Sequence, residues 1–398
     1  MDLRESAAAL QPDLIALRRD LHAVPELGLR LPRTQRLLLA ALDGLPLEVT
    51  RGRELDSVIA VLRGAGDGPT VLLRADMDAL PVPERPQPGG PVSSIPGRMH
   101  ACGHDLHMAI LLGAVRLLAE RRAELPGDVV FMFQPAEETD GGAQLMIDEG
   151  LLTAAGEDRP VAAAYALHVF SSRLPTGQVA VRHGTAMAAA DQLRVVVRGR
   201  GGHGSAPYAA LDPVPAACEA VTALQTAVTR SFSIFDPVVV TVGTFHAGEV
   251  PNVIPDEARF TAIVRTFSPA ARERAMAVLP PVVHGVAAAH GLTADVEYHR
   301  GYPVTANHPQ HADRVAETVR TLLGDDRLTE VEHPQAGSED FSYVLQQVPG
   351  AYFFLGALLP GRDLATAPYN HSPEAAFDES VLADGAALLA ALALNPLT

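Results

Sequence analysis

The chain has 398 residues, which is enough for two or three domains with a large hydrophobic core. Hydrophobic residues make up 47% and charged residues 20%, a composition that excludes a disordered or fibrous protein. The formal net charge of −16 opposes binding to nucleic acid, whose backbone is itself negative. With two cysteines, Cys102 and Cys218, the sequence also argues against a disulfide framework.

The two ends of the sequence predict neither a secretory signal nor a membrane anchor. Segment 1–21 carries Asp2, Glu5 and Asp13 and has no uninterrupted apolar stretch. The longest apolar run near the other end, 386–394, is far shorter than the roughly 20 residues of a membrane-spanning helix. We therefore expect a cytoplasmic protein with no membrane or nucleic-acid partner.

The first part of the chain has the pattern of an α/β sheet. Leucines at helical spacing between residues 10 and 21 predict an amphipathic opening helix that ends before Pro25. Short apolar runs bounded by turn residues predict buried strands at 58–62, 71–73, 129–133 and 162–167, with helices at 106–121 and 142–151. Buried strands that alternate with helices indicate an α/β domain with a mostly parallel sheet.

The pattern changes near residue 185. Segment 192–198 alternates polar and apolar residues, and strands are also expected at 238–245, 258–266 and 293–300. Asp212-Pro213 and Ser268-Pro269 have the cap residue and first-turn proline of two helices, running to about residues 230 and 290. The resulting order, β-α-β-β-α-β, is that of a ferredoxin-like unit. We therefore expect 185–297 to be a small domain inserted into an α/β domain formed by 1–184 and 298–398. The α/β domain is expected to resume with a helix at 312–323, a strand at 352–355 and a closing helix at 380–394.

Potential metal ligands follow the predicted strands of the α/β domain. They lie in five stretches: Asp76-Met77-Asp78, Glu137-Glu138, His168, the segment from His100 to His107, and Asn370-His371. Because open α/β sheets bind ligands at the carboxyl ends of their strands, these stretches should meet at one rim.

Each of these residues alone would have an ordinary structural explanation. A histidine is more often a hydrogen-bonded surface residue than a ligand, Cys102 could be a small buried apolar residue, and Glu137-Glu138 could be a solvated pair. Together they point to a metal site that could be dinuclear. Cys102 and His104 put two donors within reach of one ion, and adjacent carboxylates after a buried strand are costly unless cations neutralise them.

The chemistry of such a site is hydrolytic. In an extended segment, Glu137 and Glu138 would point to opposite sides, so that one can bind metal while the other acts as a general base. Zinc accepts Cys, His and carboxylate ligands together, and the His and carboxylate ligands also suit manganese, cobalt or nickel. Since zinc lowers the pKa of a water molecule that it binds to about 7, the site could attack an amide or ester at neutral pH.

The ordered motifs resemble the dinuclear-metal amidohydrolase and exopeptidase family that includes hippurate hydrolase, aminoacylases, carboxypeptidases and hydrolases of indole-acetyl amino acids. The resemblance covers essentially the whole chain. It is carried by Arg19-Asp20-Leu21-His22, Arg74-Ala75-Asp76-Met77-Asp78, Met99-His100-Ala101-Cys102-Gly103-His104-Asp105, Gln134-Pro135-Ala136-Glu137-Glu138, Gly202-His203-Gly204-Ser205-Ala206-Pro207, Pro251-Asn252-Val253-Ile254-Pro255, Gly337-Ser338-Glu339-Asp340-Phe341 and Asn370-His371-Ser372-Pro373.

The resemblance implies a role for each site residue. The ligands of two divalent metal ions would be Cys102, His104, Glu138, His168 and His371, and Glu137 would be the general acid and base. Segment 185–297 would be a lid and dimerisation domain. Its His203 would stabilise the oxyanion, while Asn252 and Arg265 would hold the free carboxylate of the substrate, partly across a homodimer.

Other residues near these motifs are assigned less definite roles. Asp76, Asp78 and Asp105 are expected to support the ligands, for example by orienting His104. His100 and His107 receive no role. Tyr208 stands where relatives often carry a second histidine, which weakens any detailed transfer of substrate preference.

The function expected from the sequence is hydrolysis of the amide bond in an N-acyl amino acid or a short peptide with a free carboxylate. Zinc or manganese are the first candidates for the two metal ions, with cobalt or nickel as alternatives. Two other functions stay open. The chain could be a non-catalytic metal-dependent protein that binds small molecules, although such a protein has no need of Glu137, or a redox sensor that uses Cys102.

Overall fold

The structure is a computed structural model that describes residues 2–139 and 141–397. The chain divides into two compact units. The larger unit contains the residues up to Ala186, segment 306–333 and the residues from Asp340 on. The smaller unit contains 187–305 and 334–339, whereas the sequence predicted 185–297. The predicted boundary at 297 would cut a strand that continues to Arg300.

The secondary structure is as follows in chain order. The helices are α1 (Leu3–His22), α2 (Pro32–Leu42), α3 (His104–Glu120), α4 (Gly142–Asp148), α5 (Pro213–Ser231), α6 (Pro269–Ala289), α7 (Pro309–Leu323), α8 (Ser342–Leu345) and α9 (Leu382–Leu394). The strands are β1 (Glu48–Arg51), β2 (Val58–Leu62), β3 (Gly68–Asp76), β4 (Gly127–Gln134), β5 (Val161–Phe170), β6 (Val179–Val181), β7 (Gly184–Met187), β8 (Ala189–Arg198), β9 (Gly202–His203), β10 (Val238–Ala247), β11 (Val253–Ile254), β12 (Glu257–Thr266), β13 (Thr293–Arg300), β14 (Thr305–Asn307), β15 (Leu328–Glu330) and β16 (Gly350–Gly356).

A mixed sheet forms the centre of the larger unit, in the order β1-β2-β4-β3-β5-β16-β6-β15. Its middle strands β4, β3, β5 and β16 are parallel, while β1, β2 and β6 pair antiparallel with their inner neighbours. The middle strands are almost wholly buried and rich in Val, Leu and Phe, because helices and loops cover both faces of a parallel sheet. The helices α1, α3 and α9 pack against one another. The predicted α/β class is confirmed.

The smaller unit is built on an antiparallel sheet in the order β10-β12-β8-β13. Helices α5 and α6 pack together and against this sheet, and their side chains form a separate core with Leu193, Phe260 and Leu279. Both helices begin at the predicted caps: Asp212 accepts a hydrogen bond from the backbone N–H of Val214, and Ser268 accepts one from Ala271. The chain order of the four strands of this sheet and the two helices is β8-α5-β10-β12-α6-β13.

Within residues 2–139 and 141–397, no helix is long and apolar enough to cross a membrane.

Candidate metal centre

Cys102 and His104 are presented by a tight turn before α3. Gly103 separates them and has a φ of 87°, in the left-handed region that favours glycine. A side chain at this position would also place its Cβ 2.5 Å from the Cγ2 atom of Val169. The turn therefore packs directly against the end of β5, which carries His168.

The predicted ligands come together in two overlapping groups that share Cys102. Within each group the donor atoms lie within 4.8 Å of one another: one group is Cys102, His104 and His168, and the other is Cys102, Glu138 and His371. Cys102 Sγ lies 3.3 Å from His168 Nε2 and 3.2 Å from His371 Nε2. His371 Nε2 lies 3.1 Å from Glu138 Oε1.

These separations fit divalent metal ions. Ligand atoms bound tetrahedrally to zinc at about 2.0–2.3 Å are about 3.3–3.8 Å from one another. Glu138 Oε1 and His104 Nε2 are 3.9 Å apart, and His104 Nε2 is buried without a hydrogen-bond partner in the described part of the chain. Because buried polar atoms are normally satisfied, this nitrogen indicates a missing partner, and a cation held together with the Glu138 carboxylate meets that requirement.

Hydrogen bonds fix the orientation of two of the imidazoles. His104 Nδ1 donates to the backbone carbonyl of Asp78 at 2.8 Å, and His168 Nδ1 donates to the carbonyl of Val169 at 2.8 Å. When neutral, each ring therefore carries its proton on Nδ1 and presents Nε2 as an acceptor. This is the arrangement that metal-binding histidines normally have.

Glu137 and Glu138 lie in a turn rather than in the extended segment that the sequence suggested. Asp78 holds this turn: its two carboxylate oxygens accept the backbone N–H groups of Glu137 and Glu138 at 3.0 and 3.1 Å. Ala136, just before them, has a φ of 60°. As a result, carboxylate oxygens of both glutamates lie within 4.8 Å of each other and of a His104 nitrogen, so the prediction that they point to opposite sides is wrong.

The electrostatics of the cluster favour a bound cation. Burial raises the pKa of the Cys102 thiol well above its usual value, and the carboxylates of Glu138 and Glu137 raise it further. Burial alone would lower the pKa of His104, but Asp76 and Asp78 raise it to about 10. The carboxylates thus attract positive charge, and a divalent ion can replace protons on the thiol and the imidazole.

A second layer of charged residues lies beneath the ligands. His107 Nδ1 donates to Asp76 at 2.6 Å, and His107 Nε2 accepts the backbone N–H of Val169 at 2.9 Å. Both ring nitrogens are thus engaged, and His107 supports β5 beside His168. Asp76 is also paired with the fully buried Arg74 at 2.6 Å, and Arg74 reaches Asp340 at 3.2 Å.

Asp105 does not orient His104, although it was a candidate for that role. It instead forms a buried network with Arg18 Nε at 2.7 Å and His22 Nδ1 at 2.8 Å. The other nitrogen of His22 lies 2.9 Å from Glu84. Sequence reasoning missed this network, since its members come from segments that are far apart in the chain.

In the smaller unit, the structure brings His203 and Asn252 together. β9 and β11 pair so that His203 lies opposite Val253, and the backbone carbonyl of Asn252 accepts the N–H of Gly204 at 2.9 Å. His203 Nδ1 accepts the backbone N–H of Ser205 at 3.1 Å. Because that N–H can only donate, the proton of the neutral ring lies on Nε2, which is then a donor.

Arg265 lies on β12, away from the pair formed by β9 and β11. Its register neighbours are Val239 on β10 and Ala190 on β8. The guanidinium is half-buried, burial lowers its pKa, and its Nη1 atom is buried without a hydrogen-bond partner in the described part of the chain. An unmet donor on a partly desolvated cation is suited to an anion.

The larger unit thus combines an α/β sheet with a cluster of thiol, imidazole and carboxylate groups that could hold metal ions, the arrangement expected of a metal-dependent hydrolase. Residues 72–395 match the profile of peptidase family M20/M25/M40. Among curated proteins, the chain is 36% identical over 397 residues to thermostable carboxypeptidase 2 of Saccharolobus solfataricus, covering 99% of this chain and 98% of that protein. It is 34% identical over 388 residues to N-acetylcysteine deacetylase of Bacillus subtilis, covering 97% of each.

A solved structure supports the same assignment. The chain superimposes with a TM-score of 0.82 on a dinuclear metal binding peptidase from the M20 family of Bacillus subtilis, at 32% identity, covering 97% of this chain and 98% of that one. The chain belongs to peptidase family M20/M25/M40 and is a hydrolase that acts on amide bonds.

Proposed function

We propose that this hydrolase cleaves the amide bond of N-acyl amino acids or of short peptides that end in a free carboxylate. The observation that carries the proposal is the half-buried Arg265, whose Nη1 atom lacks a hydrogen-bond partner among the described residues. The names of two relatives, a carboxypeptidase and a deacetylase of an N-acetylated amino acid, point to the same class of substrate.

The metal ions in this proposal are held by Cys102, His104, Glu138, His168 and His371. The Cys102 thiolate is common to both donor groups and would be one of the ligands of this centre. Zinc suits this mixed sulfur, nitrogen and oxygen set best, and manganese, cobalt or nickel would also accept its nitrogen and oxygen ligands. When bound, such ions polarise the substrate carbonyl and make water a stronger nucleophile.

Glu137 is the proposed general base and acid. Its carboxylate takes a proton from the water molecule whose oxygen attacks the carbonyl carbon, and it returns that proton to the nitrogen of the leaving amine as the C–N bond breaks. The backbone of Glu137 is fixed by Asp78, which holds the carboxylate near the ligands. His203, with its donor at Nε2, is proposed to stabilise the oxyanion that forms on the carbonyl.

Asn252 and Arg265 are the proposed carboxylate-binding residues of the smaller unit, which would act as a lid. The planar guanidinium of Arg265 can bind a carboxylate through two hydrogen bonds, and Asn252 adds a neutral donor. A homodimer formed through this unit is part of the proposal, because β10 is an edge strand with Val239 and Phe245 exposed. A cytoplasmic location stays a prediction.

The test compares an N-acyl amino acid with the same molecule whose carboxylate is amidated, after metal removal and re-addition of each ion. We expect activity to return with zinc or manganese and the acid to be preferred by about ten- to a hundredfold, since a charge-assisted hydrogen bond contributes roughly 1.5–3 kcal/mol. Arg265→Ala should lower kcat/KM for the acid by a similar factor and leave the amide almost unchanged.

An exposed arginine of the same strand, Arg259, provides the control for this test. Arg259→Ala should leave the preference for the acid as it is. Equal rates on acid and amide, or a loss on both substrates in Arg265→Ala, would show that Arg265 is structural and would withdraw the substrate class.

A further inference from the structure

Asn370 connects the chain segments that carry three of the proposed ligands. Its side chain is buried, and its Nδ2 atom donates to the backbone carbonyl of Cys102 at 3.1 Å and to that of Val169 at 3.0 Å. Its Oδ1 atom accepts the backbone N–H of Ser171 at 3.0 Å and the hydroxyl of Ser171 at 3.1 Å. The amide thus spans the turn before α3, the end of β5 and its own segment.

The ligands are immediate neighbours of these contacts. Cys102 is itself a ligand, His168 precedes Val169, and His371 follows Asn370. His371 has a φ of 72°, a left-handed conformation that a residue with a side chain rarely adopts. Its backbone N–H donates to the carbonyl of Ala101 at 2.9 Å, which ties the same two segments together a second time.

The carbonyl of Val169 is the most informative contact. It accepts two hydrogen bonds, one from Asn370 Nδ2 and one from His168 Nδ1. The second bond fixes the His168 ring with Nε2 toward Cys102 Sγ. Asn370 therefore holds the acceptor that determines both the tautomer and the orientation of a ligand. In metal sites, loss of a partner in this outer layer typically lowers metal affinity by about 10- to 100-fold.

We propose that Asn370 is a positioning residue that sets metal affinity by holding Cys102, His168 and His371 in one geometry. The inference rests on the proposed function, because it takes these three residues as metal ligands. Removal of the amide takes one donor from the carbonyl of Cys102 and one of the two donors from the carbonyl of Val169, and it loosens the links between the three segments. The ligands then have to be ordered when the ion binds, and the affinity falls.

The experiment measures metal binding rather than turnover. Metal-free protein is titrated with zinc and with manganese in competition with a chromophoric chelator, and thermal unfolding of the metal-free form checks the fold. Asn370→Ala should weaken binding by roughly 10- to 100-fold, the range usual for outer-layer residues of metal sites. If Asn370→Ala does not fold, the metal titration uses Asn370→Ser instead, which keeps a small polar side chain.

Asn307 provides a matched control. It is also a buried asparagine of the larger unit, and its amide bonds to the backbone of Arg182 and Tyr352 at 2.7–2.9 Å rather than to the residues that Asn370 contacts. Asn307→Ala should lower thermal stability and leave metal affinity within about threefold of wild type.

Two results would overturn the inference about Asn370 without contradicting the proposed hydrolase activity. One is a folded Asn370 variant that binds metal as wild type does, and the other is an equal loss of affinity in the Asn307 variant. Failure of the wild-type protein to bind either ion would overturn the metal centre itself, and the positioning role with it.

Discussion

Asp78 shows how much of the site can depend on one residue. Its backbone carbonyl orients His104, and its carboxylate accepts the N–H groups of both Glu137 and Glu138. The residue is fully buried, and burial raises the pKa of its carboxyl. A substitution of the side chain would remove the acceptor of both glutamate N–H groups, so the effects on the two carboxylates should not be independent.

The proposed roles of the two glutamates can be separated by exchanging each for glutamine. Glu137→Gln should retain its metal ions and lose turnover by at least the 100- to 10,000-fold that general acid–base catalysis typically contributes. Glu138→Gln should instead lose metal, because its oxygen belongs to the donor group of Cys102 and His371. Elemental analysis next to the rate assay distinguishes the two effects.

The activity that remains in the first variant decides the role of Glu137. More than a tenth of wild-type activity in a fully metallated Glu137→Gln protein would exclude it as the base. Full metal retention in Glu138→Gln would exclude that residue as a ligand. Catalytic turnover by the wild-type protein would also exclude the alternative that the chain only binds small molecules.

At the level of elements, the sequence predicted those whose signals are local. β2 is found at Val58–Leu62 as expected, because a run of β-branched and apolar residues between turns is the mark of a buried strand. Asp212 and Ser268 cap α5 and α6 through bonds within their own first turns. In each case the information lies within a few neighbouring residues.

Elements that depend on distant partners were missed. Helix α2 was not predicted, and its cap position, Leu31, has no side-chain acceptor. Its first N–H groups are bound by the carboxylate of Glu26, which accepts from Arg33 and Thr34 at 2.9 Å. The turn of Glu137 and Glu138 was misjudged for the same reason, since Asp78 is remote in sequence. The composition of the site could be predicted, and its local geometry could not.

Helix α7 provides a prediction of pH dependence. His311 on this helix is buried, and its Nδ1 atom lies 2.8 Å from the hydroxyl of Tyr165. Burial, together with the neighbouring His308 and Arg314, lowers the pKa of His311 to about 4. An unfolded histidine titrates near pH 6.5, so below that pH the unfolded chain takes up a proton that the folded protein excludes. Stability should therefore fall as the pH drops from about 6.5 toward 4.

The loss expected between pH 7 and pH 5 is up to about 2 kcal/mol from this residue. Urea unfolding of metal-free wild type and His311→Gln at both pH values measures it. The variant should be less stable than wild type at pH 7, because it loses the Tyr165 contact, but it should lose less stability on acidification. An equal loss of unfolding free energy on acidification in both proteins would contradict the prediction.

At the scale of the whole molecule, association through the smaller unit is the main open prediction. β10 lies at the edge of its sheet, with Val239 46% exposed, and an unpaired edge strand with apolar side chains normally needs a partner. We expect a homodimer by light scattering, and Val239→Glu should convert it to monomers, since two buried carboxylates would face the interface.

The larger unit contains a matched position for the control. Val49 lies on β1, which is the edge strand of the larger sheet, and it is 41% exposed. Val49→Glu should leave the molar mass measured by light scattering the same as that of the wild-type protein. A wild-type protein that is monomeric and fully active, or a dimer that survives Val239→Glu, would show that β10 does not form the interface.

The division of the larger unit into separate chain segments determines when the metal centre can be assembled during synthesis. Cys102, His104 and Glu138 leave the ribosome before segment 187–305, but β16, which lies between β5 and β6 in the sheet, and His371 emerge only after the whole of that segment. At about 5–20 residues per second, the roughly 200 residues between His168 and His371 take about 10–40 s to translate. During that interval the nascent chain has four of the five proposed ligands, so the proposed set is complete only after His371 has emerged.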